Sequence, residues 1–491
     1  MTMCRTWLMA TGIALSMCFF ALSGYGAYPH EGDIDSAVLL AAFPKTAGTK
    51  LDSCTVCHRS GSYVSEGKTT TLGSCQWCHY RTDYGKSGNI RDTLNSYGLD
   101  YLNNGRDAKA IKAIQGLDSD GDGYSNGREI AALRYPGDPK DDPTKVAAPS
   151  KVFTRGQLEA MPQHTQFLLM NASKSKDSYA EYTGVLMENL LKPLVLLSAT
   201  GVMVLSPDGF SQTHPFRYDA TLNVYYVNGT YPSATFYYND QADMAKNPST
   251  GWCDYSAPSV AGRKNGDPIV NRSGLKMILA IKKEGKHLDR GVLNARNKLE
   301  GDGPFRVIPP QKIAGPPDQR SIADNAMDPF TWVWPYQPGG DHNAGSSTRS
   351  TTIIKVEPLP EGTTDIDLHE AGWSYIDQDK IVIYGAISPL ENINEKLVQL
   401  AAAIDSIPTK SFKTRSGKAV LKKNVGTVQK ILSKGDYNEA YQMLQNDIMG
   451  KISGCKKSAR PDRKDWLKDC ETETNLYWAV NEIMVLLNIL L

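Results

Sequence analysis

Cys54-Thr55-Val56-Cys57-His58 and Cys75-Gln76-Trp77-Cys78-His79 repeat one pentapeptide pattern, C-x-x-C-H, inside a stretch with little apolar material. Two thiols three residues apart, with an imidazole directly after the second, form the attachment pattern of a c-type haem. The thiols bond the porphyrin vinyl groups and the His becomes the proximal iron ligand. With 9 Cys and 8 His in the chain, chance supplies about 0.003 such pentapeptides. The tandem pair therefore reads as two covalently bound haem c groups, held by Cys54, Cys57, Cys75 and Cys78 with His58 and His79 on the irons. The competing reading is one zinc site built from two C-x-x-C pairs. Against it stand the His at the same place in both pairs and the export signal described next.

Arg5 gives a short positive segment, Trp7 to Leu22 an apolar one, and Ser23-Gly24-Tyr25-Gly26-Ala27 small residues for cleavage. Residues 1–27 read as a signal peptide, which places the protein in the periplasm or outside the cell, where haem is attached to c-type cytochromes. An uncleaved anchor is the alternative, because the apolar stretch approaches spanning length. The apolar C-terminal run, Trp478 to Leu491, is broken by Asn481, Glu482 and Asn488, so no membrane span is expected after cleavage. Removing residues 1–27 takes away Arg5 and no acid, leaving 53 basic and 53 acidic residues. That balance argues against a nucleic-acid partner; it is the diheme reading that makes redox proteins the expected partners.

Residues 28–148 form the expected haem region, closed by the turn-dense Tyr135-Pro136-Gly137-Asp138-Pro139-Lys140-Asp141-Asp142-Pro143. With so little apolar material, haem is expected to supply much of its core. Helical patterns come late, over Ala108 to Leu117 and Arg128 to Tyr135. Between them, Asp118 to Glu129 matches the calcium-loop pattern D-x-[DN]-x-[DN]-G-x5-E throughout. Asp118, Asp120, Asp122, the Tyr124 carbonyl, Asn126 and Glu129 are the candidate ligands, and Gly123 permits the sharp turn. A solvated acidic turn is the bland reading. As a calcium site, the loop would staple a region with a thin core.

Residues 149–389 change to short β-branched and aromatic runs between Gly, Pro and Asn turns. Gly201 to Leu205, Leu222 to Val227, Ser350 to Val356 and Lys380 to Tyr384 read as strands. Val202-Met203-Val204-Leu205-Ser206-Pro207-Asp208-Gly209-Phe210-Ser211, then Leu275 to Ala280, then Gly303-Pro304-Phe305-Arg306-Val307-Ile308-Pro309, resemble the molybdopterin-binding domain of sulfite oxidase-type enzymes. That resemblance implies a Cys ligand to molybdenum upstream of the Asp-Gly-Phe-Ser turn, yet Leu168 to Leu196 contains no Cys. The fold without the chemistry is the expectation. Cys253 lies after that strand and is given no role. The whole arrangement, with Glu300-Gly301-Asp302-Gly303-Pro304 in the middle, resembles the exported bacterial diheme proteins of the GEGP-motif family, Asp302 standing for the motif's Glu. The resemblance implies an architecture and no particular reaction.

Residues 390–491 read as a small helical bundle. Leu397, Leu400, Ala401 and Ile404 share one face, as do Leu421, Val425, Val428 and Leu432, then Ala440, Tyr441, Leu444 and Ile448. Cys455 and Cys470 are the natural disulfide pair in an oxidising compartment. The expected fold is therefore multidomain α+β: a small haem-binding domain with a calcium loop, a β-rich middle and a helical C-terminus. For the sixth iron ligands, His164 and His342 lead, with His30 and Met170 next. The function this implies is electron transfer by an exported diheme c-type cytochrome with structural calcium. The alternatives are a haem-dependent or molybdopterin-type oxidoreductase and a secreted binding module with structural haem.

Overall fold

The computed structural model describes residues 34–65, 67–82, 88–172, 177–219, 225–229, 236–241, 253–269, 274–295, 299–312, 342–367, 372–458 and 460–491. The fold is multidomain α+β, with several sheets and a helical C-terminal region. Residues 1–27, His30, His369 and the first part of the Leu222–Val227 run lie outside the described residues. Among the described residues, no helix is long and apolar enough to cross a membrane.

The middle of the chain is built on two five-stranded sheets. In one, Ser150–Thr154, Lys380–Gly385, Ile353–Glu357, Gly201–Leu205 and Ser211–Pro215 lie side by side, only the pairing of Ile353–Glu357 with Lys380–Gly385 being parallel. In the other, Lys286–His287, Ile278–Lys283, Ser178–Leu186 and Gln163–Met170 are antiparallel neighbours, and Arg306–Ile308 also pairs with Ile278–Lys283. Side chains alternate between the faces of a strand, and the sequence uses that alternation to bury both faces. Val202, Val204, Ile354, Val356, Ile381 and Ile383 enter a core shared with Val185, Leu279, Ile281 and Val307 of the second sheet. Leu205, Ile353, Val382 and Tyr384 form a second cluster with Ile366.

The expected strands at Gly201–Leu205 and Lys380–Tyr384 are present, and the Ser350–Val356 run becomes the Ile353–Glu357 strand. Its shortened start has a use. The Ser350 N–H donates to the Asp302 carbonyl at 2.7 Å, while the N–H groups of Asp302 and Gly303 donate to the Asp289 carbonyl at 3.0 and 2.6 Å. A Cβ on Gly301 would lie 2.4 Å from the Arg290 carbonyl oxygen, so the Gly-Asp-Gly-Pro segment is a place where backbones meet at glycine distance. Asp302 also pairs with Arg306 at 2.8 Å.

At the C-terminus, Leu390–Ser406, Gly417–Leu432, Tyr437–Met443 and Cys470–Asn488 are helices. Leu397, Leu400, Ile404, Leu421, Val425, Val428, Leu444 and Ile448 meet Leu476, Val480, Ile483 and Leu487 in one core. Cys455 and Cys470 form a disulfide, with their Cα atoms 5.3 Å apart.

The region before the sheets has more core of its own than its composition promised. Leu39, Leu51, Val56, Tyr97, Tyr101, Ala110, Ile111, Ile114, Ile130 and Tyr135 form a buried cluster. Three aromatic rings make up for the scarcity of aliphatic residues, since each buries far more area than a methyl-bearing side chain. The helices are Asp35–Ala42, Ser96–Asn103, Ala108–Ile114 and Asn126–Ala131. The turn-dense segment after them is anchored rather than loose. Lys50, wholly buried, donates to Asp141 at 2.5 Å and to Thr364 Oγ1 at 2.6 Å, and Val146–Ala147 pairs in parallel with Thr363–Thr364. A buried ammonium is tolerable only with such partners.

Candidate functional site

The first C-x-x-C-H motif is wound into a single turn. Ser53 caps it by accepting from the Thr55 N–H, and the Cys57 and His58 N–H groups donate to the Cys54 carbonyl at 3.2 and 2.9 Å. Helical winding puts positions i, i+3 and i+4 on one side, which is how a motif of this spacing presents both thiols and the imidazole together. The turn is held from behind by residues that the motif does not contain. Asn95 Nδ2 donates to the carbonyls of Thr55 (3.1 Å) and Val56 (2.9 Å), and the Asn95 N–H donates to the Cys57 carbonyl at 2.9 Å. A Cβ on Gly98 would lie 2.2 Å from that same carbonyl oxygen. Only glycine permits the approach.

The second motif has a different setting. A hairpin, Gly61–Ser65 with Lys68–Leu72, leads into the Ser74–Gln76 helical turn, which runs on through Trp77–Arg81 as a wider turn. Trp77 is buried against Gly61, meets Tyr63 edge-on with centroids 6.4 Å apart, and has the Arg59 guanidinium over it at 4.8 Å. Gln76 points to the middle of the chain, donating to the Ser211 carbonyl at 2.7 Å. Ser211 closes the Asp208-Gly209-Phe210-Ser211 turn and begins the last strand of its sheet. The two motifs touch through Thr55 Oγ1 and Ser74 Oγ at 3.1 Å, and burial together with the neighbouring Cys54 pushes the Cys78 thiol up.

None of the four motif cysteines is in a disulfide. Among the described residues, the one group of three or more His, Cys, Asp or Glu with ligand atoms within 4.8 Å of one another is Asp118, Asp120 and Asp122. Each motif also has a buried donor lacking a partner: the Tyr97 hydroxyl, close enough to Cys57 for its charge to be felt, and the Trp77 indole N–H. A ligand with carboxylates of its own, as haem has, fits such donors. No protein-family model matches the chain, and neither a curated protein nor a solved structure is significantly similar to it.

The candidate distal ligands are separated by the fold. His342 stands at the start of the Asn343–Ser346 turn, whose Gly345 carbonyl accepts from Gln212 Nε2 at 3.3 Å. Gln212 follows Ser211, so this turn and the second motif are fastened to consecutive residues of one strand. His164 lies on the other sheet opposite Gly184, half-buried, with Nε2 3.3 Å from Gln166 Oε1. Burial lowers its pKa, and the charges it feels are those of Lys276 and Glu188. Met170 is a core residue, its sulfur 3.8 Å from Asn343 Nδ2. Cys253 is likewise buried, within a cluster that includes Tyr179 and Tyr238.

In the acidic loop, Asp118 accepts from the N–H groups of Gly121 and Gly123, each at 2.8 Å, and Asp122 accepts from Tyr124 N–H at 2.8 Å. Gly121 and Gly123 take the positive φ values of 84° and 95° that the turn demands. The Gly123 N–H foremost holds Asp118 below the usual carboxylate range, whereas burial and the adjacent Asp122 push Asp120 up to about 6. Glu129 is wholly buried, neither of its oxygens has a donor, and burial with the charges of Asp120, Asp122 and Asp118 pushes it up to about 8. A carboxylate so placed, with Asp120 Oδ2 and Asp122 Oδ2 also lacking donors, matches a cation site. Tyr124 is half-buried under the Arg128 guanidinium. Asn126 faces elsewhere: its amide donates to Ile114 carbonyl (2.7 Å) and Ser119 Oγ (2.9 Å) and accepts from Ser119 N–H (3.2 Å). It ties the loop to the preceding helix.

Proposed function

We propose that this chain is an exported diheme c-type cytochrome that passes single electrons between redox partner proteins. The observation that carries the reading is the pair of C-x-x-C-H motifs, both in helical turns and with all four thiols outside any disulfide, in a chain that does form a disulfide at Cys455–Cys470. Cys54, Cys57, Cys75 and Cys78 would hold the two porphyrins, and His58 and His79 would ligate the irons. Bound haem supplies a metal that cycles between ferric and ferrous states. The protein supplies the attachment turns, the buried donors of Tyr97 and Trp77, and a distal ligand, for which His342 is better situated than His164.

Asp118, Asp120, Asp122, the Tyr124 carbonyl and Glu129 would hold a structural calcium ion. Ser119 Oγ donates to Asp100 at 2.7 Å, which connects that loop to the Ser96–Asn103 helix and so to the first motif. The two-sheet middle is read as a sulfite oxidase-type fold that has lost the thiolate ligand, and the chain as a relative of the GEGP-motif diheme proteins. Purified protein should show a c-type visible spectrum that dithionite and an oxidant interconvert, and metal analysis should find no stoichiometric molybdenum. A colourless protein, or one containing molybdenum, overturns the reading.

A further inference from the structure

We infer that Thr93 is a positioning residue for the first iron ligand, fixing the tautomer and electron donation of His58 and so lowering the potential of the first haem. The inference rests on the diheme reading above. His58 Nδ1 lies 2.9 Å from Thr93 Oγ1, and Thr93 Oγ1 donates its only proton to the Ile90 carbonyl at 2.7 Å. With that proton committed, Thr93 can only accept from His58. The imidazole therefore carries its proton on Nδ1 and its lone pair on Nε2, the nitrogen that an iron takes.

The geometry is over-determined. Thr93 is wholly buried, ending the Ile90–Thr93 turn that Asn89 caps. The backbone of the two segments is also joined, Arg59 N–H donating to the Thr93 carbonyl at 2.9 Å and His58 bridging to Leu94. These main-chain contacts hold the Thr93 hydroxyl beside the ring, so a ring flip gives up the bond to Thr93. Hydrogen bonding to the outer nitrogen of a ligating imidazole makes the ligand more basic. A more basic axial ligand stabilises the ferric state and lowers the potential.

The test is a redox titration of the holoprotein with wild type, Thr93→Val and Thr93→Ser. Thr93→Val keeps the shape and removes the acceptor; Thr93→Ser keeps both the acceptor and a proton for Ile90. One haem should become easier to reduce in Thr93→Val, its ferric-to-ferrous ratio at fixed poise falling by up to tenfold, equivalent to about 59 mV for one electron. The other haem should not move, and Thr93→Ser should titrate as wild type. Proton NMR of the wild-type ferric protein needs no variant: at least one imidazole Nδ1 proton should exchange slowly with solvent. Two attached haems whose potentials ignore Thr93→Val, a Thr93→Ser that behaves like Thr93→Val, or two fast-exchanging Nδ1 protons overturn the assignment. Protein without covalent haem is a different result, and fails the diheme reading itself.

Discussion

The two C-x-x-C-H turns share a sequence pattern but depend on different parts of the molecule. Cys54–His58 is clasped by Asn95, Gly98 and Thr93, all within the region that also holds the acidic loop. Cys75–His79 rides on a hairpin and reaches across to Ser211 of the middle sheet. A local clasp survives as long as its own small core does. A clasp between regions is only as good as their docking. The difference teaches that one motif can be disturbed without the other, which a sequence pattern repeated twice does not reveal.

The largest separation should come from Gly98→Ala. The added Cβ meets a backbone carbonyl at 2.2 Å, so the main chain must shift, at a cost toward the top of the ~1–3 kcal/mol typical of overpacking. The spectrum and ligation of the first haem should change while the second is preserved, as read by separate redox steps. Equal damage to both would show that the motifs are one unit.

Calcium removal should come next and fall on the same side. At the affinities of extracellular calcium modules, saturation at a hundredfold excess over Kd contributes about 2.7 kcal/mol. Chelation should lower the melting temperature of the first-motif region, and Asp120→Ala should reproduce the loss. The pH dependence has a definite sign. Without a cation, Glu129 titrates near 8 in the folded protein and near the ordinary 4.3 when unfolded, so between those values the folded state binds more protons. Stability of chelated protein should therefore fall as pH rises from about 4.3 to 8. Added calcium should flatten that slope, and a flat profile in both conditions would return the loop to a solvated turn.

Much of this was legible in the chain because the deciding signals are local. The motifs, the acidic loop, the disulfide pair and the β-branched Gly201–Leu205 and Lys380–Tyr384 runs each declare themselves within sixteen residues or fewer. The clasp was not legible, since Asn95, Gly98 and Thr93 are ordinary turn and helix-cap residues until the fold sets them against Cys57 and His58. Nor was the second task of Asn126 legible: the loop pattern nominates it as a ligand, and its three hydrogen bonds, one to Ile114 of the preceding helix and two to Ser119 of the loop, become visible only in the fold. Polar groups invisible to pattern matching, such as the Tyr97 hydroxyl and Trp77 indole, emerge only once burial is known.

The smallest expected effect concerns the second clasp. Gln76→Ala removes the hydrogen bond to the Ser211 carbonyl, worth about 0.5–1.5 kcal/mol. Hydrogen exchange should rise in the hairpin and in Ser211–Pro215 together, with Asn95 and its neighbours unaffected. A response confined to the hairpin would mean that the second motif does not depend on the middle sheet.

The central claim is that both turns carry covalent haem, and intact-mass spectrometry of the purified mature chain tests it most directly. The account predicts two haem increments that survive acid–acetone extraction, one of which disappears when Cys54 and Cys57 are both replaced by Ala and the other when Cys75 and Cys78 are. A single increment, or none, would contradict it.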